Sequence, residues 1–99
     1  MINLKSAIAI AEEYLSNDAS YNLVLLHDNT IEFELGWVFF YQTKEYAETG
    51  DYLQMADDNA PIIVNKNDGS IHITGTAYRI ERYIREYVAN NQGREKFDF

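Results

Sequence analysis

The feature that most restricts how this chain can fold is Trp37-Val38-Phe39-Phe40-Tyr41, a run of five consecutive apolar side chains. Alternate side chains of a β-strand point to opposite faces, so Trp37, Phe39 and Tyr41 would share one face. Val38 and Phe40 would share the other face, which makes both faces apolar. Such a strand needs cover on both sides. The run therefore predicts a central strand, and it favours core packing over a role in partner binding.

Helical periodicity occurs at both ends of the chain. Near the N-terminus, apolar residues recur on one helical face after a candidate N-cap at Asn3, at Leu4, Ile8, Ala11 and Leu15. Near the C-terminus the corresponding stripe is Ile80, Tyr83, Ile84, Tyr87 and Val88. The first helix should end near Ser16–Asp18 and the last near Asn90–Gly93, because these polar and glycine residues favour turns.

Several shorter segments have the pattern of strands. Leu23–Leu26 reads as a buried strand, and Asp28-Asn29 would form a two-residue turn after it. A second strand alternates apolar residues with Glu32 and Glu34, so one of its faces would carry carboxylates. Gly36 indicates a turn or bulge before the aromatic strand.

The clearest hairpin signal lies in residues 61–74. Two apolar runs, Ile62–Val64 and Ile71–Ile73, flank Asn67-Asp68-Gly69, in which the glycine suits a left-handed turn. Ile71 and Ile73 are expected to face the core. Strands between two terminal helices predict an α+β fold with an antiparallel sheet of four to five strands, flanked by the N-terminal and C-terminal helices. The chain has 99 residues, which fits one domain over 1–93 with a C-terminal tail over 94–99.

The charge of the chain is strongly asymmetric. The formal net charge is −8; residues 1–60 hold 11 acidic and 2 basic side chains, and residues 61–99 hold 5 and 6. Nucleic acid is excluded as a natural partner, because binding phosphate requires a basic surface. A basic protein fits better, since opposite fields accelerate encounter. The alternative interpretation is that the acidity serves solubility alone.

No set of residues in the sequence predicts a catalytic or metal site. The chain has no cysteine, which excludes disulfides and thiolate zinc sites. Its two histidines are 45 positions apart, and no serine lies in a nucleophile motif. We therefore expect a protein that is not an enzyme and has no cofactor. The sequence also shows no signal peptide and no membrane span, so a cytoplasmic location is expected.

The acidic segment, residues 44–60, is the candidate site for a partner. It is a long connection for a compact domain, and such connections often carry function. A solvated surface loop with a short helix near Asp51–Met55 is the alternative. The candidate partner-binding residues combine carboxylates with tyrosines: Glu45, Tyr46, Glu48, Asp51, Tyr52, Asp57 and Asp58.

Three stretches together resemble one known family. They are Gly36-Trp37-Val38-Phe39-Phe40-Tyr41-Gln42, then Asn59-Ala60-Pro61-Ile62-Ile63-Val64, then Asp68-Gly69-Ser70-Ile71-His72 followed by Gly75-Thr76-Ala77. This order, across nearly the whole chain, is similar to the immunity protein 35 family, also called the YrhB-like domain. One departure is Arg79, at a position where such sequences often have proline. The resemblance implies a bacterial protein of a polymorphic toxin system, which protects the producing cell by binding a cognate toxin. It implies no catalytic residues.

Two other functions stay open at this point. A chaperone-like or general interaction module would also suit many aromatic residues combined with high net charge. A ligand-binding cup lined by tyrosines such as Tyr41 or Tyr83 would suit a curved sheet. The sequence does not decide whether the chain forms homo-oligomers, because an exposed edge strand could pair two copies but nothing selects that arrangement.

Overall fold

The computed structural model describes residues 1–17, 22–56 and 59–96, with side chains up to residue 91. The helices are α1 (Leu4–Ser16), α2 (Lys44–Thr49) and α3 (Ile80–Lys96), and two 3₁₀ turns lie at His27–Asn29 and Tyr52–Gln54. The strands are β1 (Leu23–Leu25), β2 (Ile31–Phe33), β3 (Gly36–Phe39), β4 (Tyr41–Thr43), β5 (Ile62–Asn65) and β6 (Ile71–Ile73).

The strands form two antiparallel sheets within the described part of the chain. The larger sheet has four strands in the order β2-β3-β5-β6, and the smaller sheet pairs β1 with β4. Strand β3 pairs with β5 over four positions, from Gly36 opposite Asn65 to Phe39 opposite Ile62. The fold is therefore α+β, with helices at both ends of the chain, as the sequence predicts.

Strand β3 is buried on both faces. On one face, Trp37 and Phe39 pack in a core cluster that contains Ala7 and Ala11 of α1. On the other face, Val38 packs with Ile63 of β5 and with Tyr87 of α3. The terminal helices thus cover opposite faces of the four-stranded sheet. The prediction of a central strand with core aromatics is confirmed for Gly36–Phe39, but the predicted strand divides at Phe40, and Tyr41 begins β4 of the smaller sheet.

Helix α1 begins as predicted, and its predicted apolar face packs on the core except at Leu4. The side chain of Asn3 caps it, because its Oδ1 accepts a hydrogen bond of 2.9 Å from the backbone N–H of Ser6. The buried face contains Ala7, Ala11 and Leu15, whereas Leu4 is exposed. Ala7 and Ala11 present small side chains to the sheet, and such a face lets the helix backbone approach the sheet closely.

The predicted two-residue turn at Asp28-Asn29 is wrong. Asp28 and Asn29 lie in a 3₁₀ turn instead of a two-residue hairpin turn. Strand β1 pairs with β4, which is far from it in sequence, and β2 pairs with β3. The apolar pattern of a strand specifies which face is buried, and it does not specify the neighbouring strand.

The β5–β6 hairpin confirms the predicted turn but not both core residues. Gly69 has a φ of 72°, the left-handed conformation expected of it. The backbone N–H of Ser70 donates to Oδ1 of Asp68 over 2.9 Å, which reinforces the turn. Ile71 packs on the core, whereas Ile73 is 53% exposed because β6 is an edge strand with a neighbour on one side only.

Helix α3 starts at Ile80, directly after Arg79, and continues to Lys96. The prediction that it ends at Asn90–Gly93 is wrong, so the proposed start of a tail at residue 94 does not coincide with a helix end. Asn91 supports the longer helix, because its Nδ2 donates to the carbonyl oxygen of Tyr87 over 2.8 Å. The spacing i, i+4 allows ion pairs Arg82–Glu86 and Glu81–Arg85 on this helix; the first forms at 3.0 Å, and the second does not form among the described residues.

We expect Gly36→Ala to destabilise the protein by about 3 kcal/mol. A Cβ at this position would overlap the carbonyl oxygen of Val64, which the β3–β5 pairing holds in place. Gly50→Ala is the matched control, because Gly50 has a φ of 73° but open space around it, so the variant should lose only the backbone strain of about 1–2 kcal/mol. Urea unfolding of both variants measures the difference. A loss for Gly36→Ala no larger than for Gly50→Ala would contradict the steric argument.

Candidate partner-binding surface

The acidic segment begins with a regular helix, although the sequence indicated only irregular or weakly helical structure. Thr43 is the N-cap of α2, and its Oγ1 accepts a hydrogen bond of 3.1 Å from the backbone N–H of Tyr46. Glu45 lies in the first turn, where the helix dipole favours a carboxylate. Gly50 ends the helix in the left-handed conformation, with its N–H donating to the carbonyl oxygen of Tyr46 over 2.8 Å.

A 3₁₀ turn follows at Tyr52–Gln54, which agrees with the short helix expected near Asp51–Met55. Asp51 caps this turn, because its Oδ1 accepts a hydrogen bond of 3.0 Å from the backbone N–H of Leu53. Both short elements have side-chain N-caps: Thr43 of β4 caps α2, and Asp51 of the segment itself caps the 3₁₀ turn. Residues 44–54 of the segment therefore have a defined backbone path.

Two buried polar residues of β4 hold this backbone against the sheet. We call Gln42 and Thr43 the β4 polar pair; they are 2% and 3% exposed. The Oγ1 of Thr43 donates to the carbonyl oxygen of Gln54 over 2.5 Å. The Oε1 of Gln42 accepts a hydrogen bond of 3.0 Å from the backbone N–H of Ala56. The pair thus fixes the segment at the end of the 3₁₀ turn and two residues beyond it, since a buried polar group is costly unless it is hydrogen-bonded.

Five of the seven predicted partner-binding residues lie in the described structure and on one short stretch of surface. Glu45, Glu48 and Asp51 are exposed. Tyr46 is half-buried, and its ring centroid lies 6.1 Å from that of Tyr52, which is 79% exposed. The remaining two predicted residues, Asp57 and Asp58, lie outside the described residues.

The carboxylates of this surface are weakly neutralised. Lys44 and Glu48 approach to 3.8 Å as an i, i+4 pair, and both side chains are more than half exposed, so the pair contributes little to stability. Within the described part of the chain, neither Glu45 nor Asp51 belongs to an ion pair. The surface therefore keeps a negative field, which suits a cationic partner.

Leu53 belongs to this surface although the sequence analysis did not single it out. It is 90% exposed and directly follows Tyr52. No local signal separates Leu53 from the buried leucines, because its exposure depends on hydrogen bonds made by the β4 polar pair. No sequence signal indicated that Gln42 and Thr43 support the acidic segment either.

The carboxylates predicted on the second strand are a weaker candidate, and the prediction of one shared face is wrong, because β2 ends at Phe33 and Glu34 lies in the turn after it. The Nζ of Lys66 lies 2.9 Å from Oε2 of Glu32, and the same ammonium group lies 5.4 Å from the centroid of the Trp37 ring. One of these carboxylates is thus already paired with a lysine that the aromatic ring also holds. The acidic segment offers more unpaired charge.

A cleft of about 570 Å³ lies between the β5–β6 turn and α3. Neutral polar groups dominate its lining: the buried Asn65 donates through Nδ2 to the hydroxyl of Tyr87 over 2.9 Å, and the His72 ring lies 5.2 Å from the Tyr87 ring. Ser70, His72 and Asp68 also line the cleft, but among the described residues no hydrogen bond joins the Ser70 hydroxyl to the His72 ring, as a nucleophile and its activating base would require. Among the described residues, no group of three or more His, Asp or Glu side chains could hold a metal ion, and no helix is long and apolar enough to cross a membrane.

Comparisons with known proteins agree with the resemblance found in the sequence. The model of the family described as Immunity protein 35 matches residues 5–89. The protein named "Uncharacterized protein YrhB" from Escherichia coli (strain K12) is 37% identical over 87 residues, which is 88% of this chain and 89% of that protein. No solved structure gives a significant match. The family match covers most of the chain, including β3, the acidic segment and the β5–β6 hairpin, and the chain therefore belongs to the immunity protein 35 family.

Proposed function

We propose that this protein is an immunity protein that binds and neutralises a cognate bacterial toxin by stoichiometric protein–protein inhibition. Membership of the immunity protein 35 family carries this proposal. The protein would act in the cytoplasm of the producing cell, as a binding partner without catalysis or a cofactor. Its inhibitory effect would come from occupying the active site or substrate groove of a toxin in a polymorphic toxin system.

The acidic segment is proposed as the contact surface. Its exposed carboxylates are held on backbone that β4 fixes, so binding requires little ordering of the segment. The cognate toxin domain would be basic at the matching surface, because opposite fields accelerate encounter and disfavour wrong partners. Tyr46 and Tyr52 add aromatic contact area beside the carboxylates, and tyrosine is enriched at protein interfaces.

The family implies that an immunity gene lies beside the gene of its toxin, so a toxin domain encoded next to this gene is the first candidate partner, and co-expression with it tests the function directly. The toxin domain alone should stop growth of the expressing cells, and co-expression of this protein should restore it. Titration of purified toxin domain should give an equimolar end point for loss of toxin activity. A protein that fails to form a complex with this toxin, and that instead suppresses aggregation of unrelated unfolded proteins, would be the chaperone-like module.

Removing charge from the acidic segment should slow association with the toxin domain about tenfold at low ionic strength. The variant carries Glu45→Gln, Glu48→Gln and Asp51→Asn, and the asparagine keeps the Oδ1 acceptor that caps the 3₁₀ turn. Stopped-flow association rates at several salt concentrations should show a weaker salt dependence than for the wild-type protein, because fewer charges steer the encounter.

A matched control changes the net charge by the same amount elsewhere, through Glu12→Gln, Glu13→Gln and Glu81→Gln on exposed helix positions. This control should retain most of the wild-type association rate. Equal slowing of both variants would show that the net charge, and not the acidic segment, steers the toxin. Unchanged association of the acidic-segment variant would place the interface elsewhere, and Glu32→Gln/Glu34→Gln would then test the carboxylates in and after β2.

A further inference from the structure

The exposed pair Tyr52 and Leu53 is the apolar feature of the acidic segment that the fold itself does not use. The two side chains are 79% and 90% exposed, although Ala56, three residues further on, is buried. Apolar side chains exposed singly are common and need no explanation. Here two large ones are adjacent, and carboxylates flank them along the chain.

The exposure of this pair does not come from a loose loop. The backbone N–H of Leu53 donates to Asp51, the carbonyl oxygen of Gln54 accepts from Thr43, and the N–H of Ala56 donates to Gln42. These hydrogen bonds tie the turn to Asp51 and to the β4 polar pair. Both side chains are therefore held in solvent by the same contacts that fix the acidic segment.

We propose that Tyr52 and Leu53 form a preformed apolar anchor that inserts into an apolar pocket of the toxin, with basic groups around that pocket facing Glu45, Glu48 and Asp51. The inference rests on the proposed function, because the occupant of this surface is the toxin. Charge complementarity selects a pocket with a cationic rim, since the carboxylates around the pair would be buried beside it. A central apolar anchor with a charged rim is the common arrangement of specific interfaces.

The β4 polar pair acts in this scheme as a set of positioning residues. Gln42 and Thr43 are buried and bond to the segment from the side of the sheet, so neither is available to contact the toxin. Their contribution is to hold the turn in the conformation that binds. Preorganisation of this kind reduces the ordering cost of association and slows dissociation.

The anchor is tested with the variant Tyr52→Ser/Leu53→Ser and the purified toxin domain encoded next to this gene. We expect the dissociation rate to rise on the order of 30-fold, with an association rate within about threefold of wild type, because loss of a buried anchor acts mainly on dissociation. The control is Ile73→Ser/Tyr78→Ser, which removes two apolar side chains that are about half exposed elsewhere. The control should dissociate like the wild-type protein.

The outcomes separate the anchor from the proposed function. A toxin complex that forms with the wild-type protein and dissociates equally slowly from Tyr52→Ser/Leu53→Ser would overturn the anchor and leave the immunity function standing. Absence of any complex with the wild-type protein would remove the immunity function for this toxin. Equal acceleration by the control variant would show a diffuse apolar interface and would also overturn the anchor.

The positioning role is tested with Thr43→Val and Thr43→Ser. Valine matches the volume of threonine but removes both hydrogen bonds of Oγ1, whereas serine keeps them. In the free protein, hydrogen exchange should be faster at the amides of 46–56 for the valine variant. Dissociation from the toxin domain should be up to about tenfold faster, and serine should restore both values.

If Thr43→Val fails to fold, two variants of the exposed residue Asp51 test the positioning role instead. Asp51→Ala and Asp51→Asn lose the same charge, but only alanine removes the acceptor for the N–H of Leu53. Faster toxin dissociation from the alanine variant than from the asparagine variant supports positioning by the turn. Faster hydrogen exchange with unchanged dissociation, in either set of variants, would overturn the positioning role.

Discussion

Burial of β3 on both faces is the constraint on which the other elements depend. A strand with Trp37 and Phe39 on one face and Val38 on the other is stable only if both faces are covered. Helix α1 covers the first face and α3 the second, which places the two ends of the chain on opposite sides of one sheet. Strand β5 approaches β3 closely at Gly36, because the two strands pair continuously from Gly36 to Phe39.

The acidic segment depends on the point at which this apolar pattern stops. After Tyr41, the next two positions remain buried but become polar, at Gln42 and Thr43. Buried polar groups need partners, and the backbone of the acidic segment supplies them for Thr43 Oγ1 and Gln42 Oε1, whereas Gln42 Nε2 has no partner among the described residues. Strand β4 therefore begins with Tyr41 in the apolar core and ends as the support for an exposed surface. Gln42 and Thr43 thus belong to the buried part of the fold and also support the candidate site.

Local patterns were sufficient to predict the parts of the fold that local chemistry determines. The central strand, the Asp68-Gly69 turn and the start of α3 follow from residue type and spacing alone. The β1–β4 pairing and the exposure of Ile73 depend on which strands become neighbours or edges, and periodicity carries no information on that.

The candidate site was likewise only partly predictable from the sequence. Carboxylates and tyrosines in a long connection were visible in the sequence, and Glu45, Asp51 and Tyr52 are exposed as expected of a contact surface. Leu53 was missed because only buried hydrogen bonds from β4 explain its exposure. An exposed leucine beside a tyrosine would favour self-association, but neighbouring carboxylates and a net charge of −8 make copies of the protein repel each other. In the proposed complex the same carboxylates attract a basic toxin, so one charge distribution keeps the apolar anchor soluble and selects its partner.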